Sequence, residues 1–179
     1  MKPHILLILS ILATCSCNLS LVPLYRQLQS KPVILSYDYC FINGQATIPQ
    51  FHNSKTPILV YYFDSTDCAP CNIMAVSRYQ PLYAESVENR EFQLLALFCP
   101  EKKDLQVAIA AAMYEESDIP IAIDTASRFE KINTHIPKDK RFHTFLLDSL
   151  GNVLFVGDPL SGESAAELFN KALSNPTIQ

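Results

Sequence analysis

The sequence predicts an α/β protein with a mixed central β-sheet and helices on both faces, and three observations lead to this expectation. Residues 58–63 form an unbroken run of β-forming side chains, typical of a buried strand, and a helix pattern follows at residues 72–87. Residues 92–99 form a second apolar run, as expected of a strand that is covered on both faces. The chain then ends with a β-hairpin and an amphipathic helix.

Two shorter strands are expected before the central one. Residues 33–41 alternate weakly, Asn43-Gly44 is a strong hairpin-turn signal, and residues 46–51 form a possible return strand. Pro81 lies inside the helix pattern, so we expect a kink or a break there. The remaining predicted elements are helices at residues 102–116, 128–135 and 162–173 and strands at residues 119–124, 144–148 and 153–156.

The first residues have the pattern of an export signal. Lys2 places a positive charge before the apolar residues 5–12, a run too short to span a bilayer permanently. The small residues that follow lead into Cys15 and Cys17 and resemble a bacterial lipobox, in which a cysteine is acylated and becomes the mature N-terminus. Cys17 fits this pattern better because Ser16 precedes it, and Cys15 is the alternative. A secreted chain without lipid is the other interpretation.

These patterns divide the chain into a signal peptide at residues 1–17, a tether at residues 18–32 and one domain at residues 33–175. Either interpretation of the signal places the domain outside the cytoplasm, in the periplasm or at the cell surface, where dithiols meet oxidising partners. Two or more acyl chains would hold the protein on a membrane. The formal net charge of −4, without a block of basic residues, argues against nucleic acid as a partner.

The most informative segment is residues 68–71, Cys-Ala-Pro-Cys, between the central strand and the following helix. Two cysteines at this spacing form a compact redox couple when the first lies at a helix N-terminus. The helix dipole and the free N–H groups stabilise the thiolate there and lower a cysteine pKa from about 8.5 to as little as roughly 3.5–7.5. Pro70 fits the first helical turn and has a geometric role. The structural alternative is an inert disulfide on a binding domain.

The two remaining cysteines, Cys40 and Cys99, do not form a further motif. Cys40 and Cys99 are interpreted as buried small hydrophobic residues near strand ends, and a Cys40–Cys99 disulfide is the alternative. A zinc site on the CxxC would need two more ligands, and no second pair of cysteines or histidines has ligand spacing. We therefore expect neither a metal nor a cofactor.

Three features together resemble TlpA-like members of the thioredoxin superfamily, of the kind found as lipoproteins in Bacteroidetes. They are residues 67–71, Asp-Cys-Ala-Pro-Cys, after a strand; residues 143–148, His-Thr-Phe-Leu-Leu-Asp, with Gly151 after them; and the βαβ insertion between the two segments. The resemblance covers about residues 46–173. It implies a thioredoxin-like fold, which the opening hairpin extends at its N-terminus, and a membrane-anchored thiol-disulfide oxidoreductase.

The resemblance also implies roles for both cysteines. Cys68 is expected to be the partly exposed nucleophile, and Cys71 the shielded resolving thiol that forms a disulfide with it. The implied partners are a protein disulfide substrate and an upstream thiol reductant or oxidant.

The chain departs from the family at two positions. Asp67 replaces the usual tryptophan before the first cysteine, and its carboxylate should disfavour the Cys68 thiolate and make the couple more reducing. Phe142 stands at the cis-proline position, followed by His143. A non-proline cis peptide costs roughly 3 kcal/mol, so we expect a trans bond. Phe142 and His143 are expected to line the substrate groove instead.

These departures leave open questions about individual residues and about function. The imidazole of His143 could stabilise the Cys68 thiolate or move a proton, and the alternative is a loop histidine bonded to water. Asp64 and Asp67 are interpreted as solvated residues at a strand end. A rival hypothesis follows from the missing tryptophan and proline: a redox-inactive thioredoxin-fold lipoprotein that acts as a binding or accessory module.

Overall fold

The computed structural model describes residues 21–48 and 55–174. These residues form one seven-stranded β-sheet with helices packed against it. The strands are β1 Tyr39–Ile42, β2 Gln45–Thr47, β3 Ile58–Phe63, β4 Gln93–Phe98, β5 Ile121–Ile123, β6 Thr144–Leu147 and β7 Val153–Val156. The α-helices of the described residues are α1 Leu21–Leu28, α2 Ala69–Ile73, α3 Gln80–Asn89, α4 Leu105–Tyr114, α5 Arg128–Ile132 and α6 Glu163–Ser174. Short 3-10 helices lie at Val76–Tyr79, Lys140–Phe142 and Pro159–Ser161.

The sheet is mixed, with the strand order β2-β1-β5-β4-β3-β6-β7. Strands β3, β4 and β5 run parallel, whereas β6 pairs antiparallel with β3 on its other side. Side chains of β3 alternate between two core layers: Leu59 and Tyr61 belong to one, and Val60 and Tyr62 to the other. Because β3 is central and buried on both faces, its carboxyl end holds a fixed position for whatever follows it.

Helices cover both faces of the sheet. One core layer contains Ile73 of α2, Ala108 of α4 and Phe169 of α6, and the other contains Leu28 of α1 and Phe129 of α5. The expected α/β class, with a mixed sheet between two helical layers, is therefore confirmed.

The hairpin of β1 and β2 lies at one edge of the sheet, and β1 pairs antiparallel with β5. Its turn residues Asn43 and Gly44 have φ angles of 51° and 69°, as a two-residue hairpin turn requires. A Cβ at Gly44 would also collide with the backbone oxygen of Met113. The positive φ and the lack of space both require glycine at this position. Strand β1 begins at Tyr39, six residues later than position 33, where the weak alternation placed it. Residues 49–51 of the expected return strand lie outside the described residues.

The segment expected to be a tether is packed into the domain. Residues 21–28 form α1, and Leu28 is fully buried in the core. Leu21, Leu24 and Leu28 fall on one face of this helix, which stabilises it by packing against the sheet. The signal segment with Cys15 and Cys17 lies outside the described residues. Within the described ranges, no helix has both the length and the apolar character to cross a bilayer.

The single helix expected after the CxxC is divided into three pieces. α2 ends at Ile73, a 3-10 helix spans Val76–Tyr79, and α3 begins at Gln80. The break therefore precedes Pro81, which occupies the first turn of α3. Proline is favoured in a first turn because no N–H is needed there, so it starts the new helix rather than kinking the old one.

Asn133 ties the N-terminal segment to α5, and this generates a test. Its buried side chain accepts a hydrogen bond from Ile34 N–H at 2.8 Å and donates to the carbonyls of Ile34 and Phe129 at 2.8 and 2.9 Å. Asn133→Ala should lower the free energy of unfolding by about 2 kcal/mol, because these bonds have no replacement in the protein. Urea denaturation measures this change. Asn170→Ala, at an exposed position of α6, is the control and should change stability by less than about 0.5 kcal/mol. Equal stability of the two variants would contradict the role of Asn133.

Candidate redox site

The CxxC segment lies at the carboxyl end of β3, where residues 64–67 lead into α2. Cys68 is the N-cap residue of α2, and Cys71 lies in the first turn. The two cysteines are joined by a disulfide bond, with their Cα atoms 5.3 Å apart. Pro70 also occupies the first turn, and Asn72 N–H donates to the Cys68 carbonyl at 3.0 Å. The backbone therefore holds both sulfur atoms at the start of one helix.

Both cysteines are exposed. This agrees with the expectation for Cys68, but the expectation that Cys71 is shielded was wrong. The helical period explains why: Ala69 and Ile73, four residues apart, face the core, and this turns Cys71 toward the opposite side. Exposure therefore does not separate a nucleophilic cysteine from a resolving one in this protein.

A lysine connects the two carboxylates that precede Cys68. Lys140 Nζ lies 2.5 Å from Asp64 Oδ1 and 2.7 Å from Asp67 Oδ2, and Asp67 Oδ2 accepts a further hydrogen bond from Asp64 N–H at 3.0 Å. Both aspartates are half-buried, so their interpretation as solvated residues was wrong. Burial alone would raise the pKa of Asp64, but hydrogen bonds from Lys140 and Thr66 together lower it. The charge of Asp67 is paired as well, so it opposes a Cys68 thiolate less than an isolated carboxylate would.

His143 is buried, with 5% of its surface exposed. Its Nε2 lies 2.9 Å from the Pro137 carbonyl, which can only accept, so Nε2 carries the hydrogen. Nδ1 lies 3.9 Å from Asp64 Oδ2 and makes no hydrogen bond. Burial lowers the pKa of His143, which favours the neutral ring. Neither expectation for this residue, a partner of Cys68 or a solvated loop histidine, describes these contacts.

Phe142 belongs to a different core layer from Ala69 and Ile73 of α2. It is buried in the core layer that contains Leu28 of α1, and it lines an apolar surface pocket with Tyr25. Its expected place in a substrate groove beside the cysteines stays a prediction. The described residues contain no cis peptide bond, so the Phe142 peptide is trans, as expected. The 3-10 turn of Lys140–Phe142 instead directs Lys140 toward the CxxC loop, a contact that the sequence analysis missed.

A cavity of about 460 Å³ lies beside the loop that precedes Cys68. Its lining includes Asp64, Thr66, His143 and Glu130. Glu130 is held in place because Tyr62 Oη donates to its Oε1 at 2.9 Å. The cavity connects His143 and Asp64 to solvent, although only 5% of the His143 surface is exposed.

Cys40 and Cys99 are free thiols and are buried. This excludes the alternative of a Cys40–Cys99 disulfide and agrees with their interpretation as small hydrophobic residues. Burial raises the pKa of Cys40 to about 11 and also raises the pKa of Cys99. Both side chains therefore stay protonated at neutral pH, unlike a reactive cysteine.

No protein-family model and no curated protein matches the chain. Among solved structures, it is similar to a proposed thiol:disulfide interchange protein DsbE from Chlorobium tepidum, with 15% identity, 80% of this chain and 98% of that chain covered, and a TM-score of 0.50. It is also similar to an uncharacterised thioredoxin-like protein from Porphyromonas gingivalis, with 16% identity, coverage of 80% and 92%, and a TM-score of 0.48. A third likeness is the C-terminal domain of a proposed thiol-disulfide oxidoreductase from Bacteroides thetaiotaomicron, with 14% identity, coverage of 82% and 99%, and a TM-score of 0.49.

The first of these likenesses, with a TM-score of 0.50, shows the fold. The chain has a thioredoxin-like fold: parallel β3, β4 and β5, antiparallel β6 next to β3, and the CxxC between β3 and α2. The expected fold class is confirmed.

The ion pairs of Lys140 generate a pH-dependent test. Because the pKa of Asp64 is lowered in the folded protein, its charged form stabilises the fold above its ordinary pKa of about 3.9, and this stabilisation is lost as the pH falls through the lowered pKa. Lys140→Met should therefore lower the free energy of unfolding by about 1 kcal/mol at pH 7, and the difference should shrink as the pH falls through the lowered pKa of Asp64. Urea denaturation at pH 7 and at a series of lower pH values, with a chelator present, measures it. Lys138→Met, at an exposed lysine two residues away, is the control. Equal losses in both variants at pH 7 would show that the Lys140 pairs do not contribute.

Proposed function

We propose that this protein is a thiol-disulfide oxidoreductase. The observation that carries the proposal is the exposed Cys68–Cys71 disulfide at the start of α2 in a thioredoxin-like fold. A disulfide that closes so short a loop constrains the unfolded chain little, so it is a poor choice for stability alone. A bond between two neighbouring exposed cysteines is instead open to attack by the thiol of another protein.

The proposed reaction uses one disulfide and two thiols. In the reduced protein, the Cys68 thiolate attacks one sulfur of a substrate disulfide, forms a mixed disulfide, and displaces the other substrate sulfur as a thiolate. The Cys71 thiolate then attacks the Cys68 sulfur, which releases the second substrate thiolate and forms the Cys68–Cys71 bond. Two electrons pass from the protein to the substrate, and a partner dithiol must return them. The same steps in reverse oxidise a substrate dithiol.

The assignment of Cys68 as the nucleophile rests on its position at the N-cap of α2. Backbone N–H groups of the first helical turn point toward an N-cap residue and favour a negative charge there. The Lys140 ammonium pairs with Asp64 and Asp67 and so offsets part of their negative charge close to Cys68. Cys71 lies inside the first turn and is assigned to the second step.

The proposed location is outside the cytoplasm, on a membrane. Lys2, the apolar residues 5–12 and the cysteine at position 17 support a TlpA-like lipoprotein in which Cys17 is acylated. Cys15 is the alternative site. The proposed partners are a protein that carries a disulfide and an upstream thiol reductant or oxidant, with no cofactor.

The roles of the two cysteines can be separated with serine variants. Cys68→Ser should abolish reduction of insulin disulfides in the presence of a dithiol reductant, because the attacking thiolate is gone. Cys71→Ser should accumulate mixed disulfides with substrate proteins, because the resolving step is blocked. Turbidity of reduced insulin and non-reducing gels measure the two outcomes.

Cys40→Ala is the matched control, since this buried thiol takes no part in the proposed reaction and its loss should leave insulin reduction unchanged. Turnover of the Cys68→Ser protein at the wild-type rate would exclude the mechanism. If, in addition, the thiolate absorbance of the reduced wild-type protein titrates like that of a free cysteine, the binding-module hypothesis is favoured.

The proposed lipid anchor has its own test. Cells that express the full-length chain and are fed a labelled fatty acid should incorporate the label into the wild-type protein and not into Cys17→Ser. Cys15→Ser should retain the label and is the control. Loss of the label only in Cys15→Ser would move the acylated position to Cys15, and an unlabelled wild-type protein would exclude lipidation.

A further inference from the structure

Three side chains beside the CxxC segment place atoms that could ligate a metal ion close to one another. They are Asp64 and Asp67, from the loop between β3 and α2, and His143, from the turn before β6. One donor atom from each lies within 4.8 Å of the other two. Carboxylate oxygens and an imidazole nitrogen are a common ligand combination for divalent transition metals.

His143 gives independent support for a ligand at this place. Its Nε2–H donates to the Pro137 carbonyl at 2.9 Å, so the neutral ring has its lone pair on Nδ1. That lone pair is buried, has no hydrogen-bond partner, and faces Asp64 Oδ2 at 3.9 Å. Two acceptors that face each other repel unless a cation or a proton lies between them. A histidine whose other nitrogen donates to a backbone carbonyl is the usual arrangement of a metal ligand.

The distances leave room for an ion. Bonds from Zn²⁺ to histidine nitrogen and to carboxylate oxygen are each about 2.0–2.2 Å, so two ligands of one ion lie about 3–4 Å apart. The separation of 3.9 Å between His143 Nδ1 and Asp64 Oδ2 falls in this range. The cavity of about 460 Å³ that both residues line gives an ion a path from solvent.

We propose that Asp64, Asp67 and His143 bind a divalent transition-metal ion such as Zn²⁺, in competition with the ammonium group of Lys140. Lys140 Nζ lies between the two carboxylates, 2.5 Å from Asp64 Oδ1 and 2.7 Å from Asp67 Oδ2, and neutralises them as a metal ion would. Its side chain is 47% exposed, so it can turn into solvent when an ion takes its place. The site contains no cysteine and does not depend on the proposed redox function.

The test uses the tag-free full-length chain in its disulfide form, so that Cys68 and Cys71 cannot act as ligands. Titration with Co²⁺ is followed by its visible absorption, which reports coordination by protein side chains, and Zn²⁺ should then displace it. His143→Gln and Asp64→Asn should each weaken Co²⁺ binding at least about tenfold, since each removes a ligand. Lys140→Met should bind Co²⁺ more tightly than the wild type, because the competing cation is gone.

His135→Gln is the matched control for His143→Gln. His135 is also buried and also has an unpartnered ring nitrogen, but it is not part of this cluster, so Co²⁺ affinity should not change. Circular dichroism checks that each variant is folded, and Asp67→Asn replaces any variant that is not. No Co²⁺ binding by the wild type, equal affinity of wild type and His143→Gln, or weaker binding by Lys140→Met overturns the proposal.

Discussion

Burial of β3 on both faces is the constraint on which the candidate site depends. The strand pairs with β4 on one side and β6 on the other, and it contributes side chains to both core layers. Its carboxyl end therefore cannot shift without disturbing the sheet. The loop of residues 64–67 and the start of α2 are fixed in position because they follow directly from this strand. Ala69 and Ile73 fix the rotation of α2 about its axis by packing into the core. Those two contacts determine that both cysteines face solvent.

Charged side chains lie close to the exposed disulfide, in the loop that precedes it and in the turn before β6. Lys140 connects Asp64 and Asp67 from a turn that comes more than seventy residues later in the chain, and His143 lies behind them with one nitrogen fixed by a carbonyl. The turn before β6 thus brings a cation and an imidazole to the loop that precedes Cys68. Two of the three proposed metal ligands, Asp64 and Asp67, lie in this loop, and the disulfide follows directly after it.

The parts of this structure that were predictable from sequence depend on local patterns. The apolar run of β3, the CxxC after it and the closing hairpin each lie within a few neighbouring residues, so composition and spacing identify them. The break near Pro81 was predictable because proline does not fit a helix interior, whereas the earlier interruption after Ile73 has no such local signal.

The site beyond the cysteines could not be predicted in the same way. Lys140 and Asp64 are separated by 76 residues, and nothing in their local sequence marks them as a pair. The burial of His143, which leaves Nδ1 without a partner, also follows from tertiary packing alone. Two of the proposed metal ligands are aspartates three residues apart, and they belong to no pair of cysteines or histidines. The Asp-x-x-Asp spacing before the CxxC was the one signal available.

The packing of α1 bears on the proposed lipid anchor, because it would limit how far the domain could extend from a membrane. A free tether at residues 18–32 would span up to roughly 50 Å, whereas the three residues between Cys17 and α1 span at most about 11 Å. With a lipid on Cys17, the domain would lie close to the bilayer surface, and only a short linker would allow it to rotate. Partner proteins would then have to come to the membrane surface, and those attached to the same bilayer would meet the exposed sulfur atoms most often.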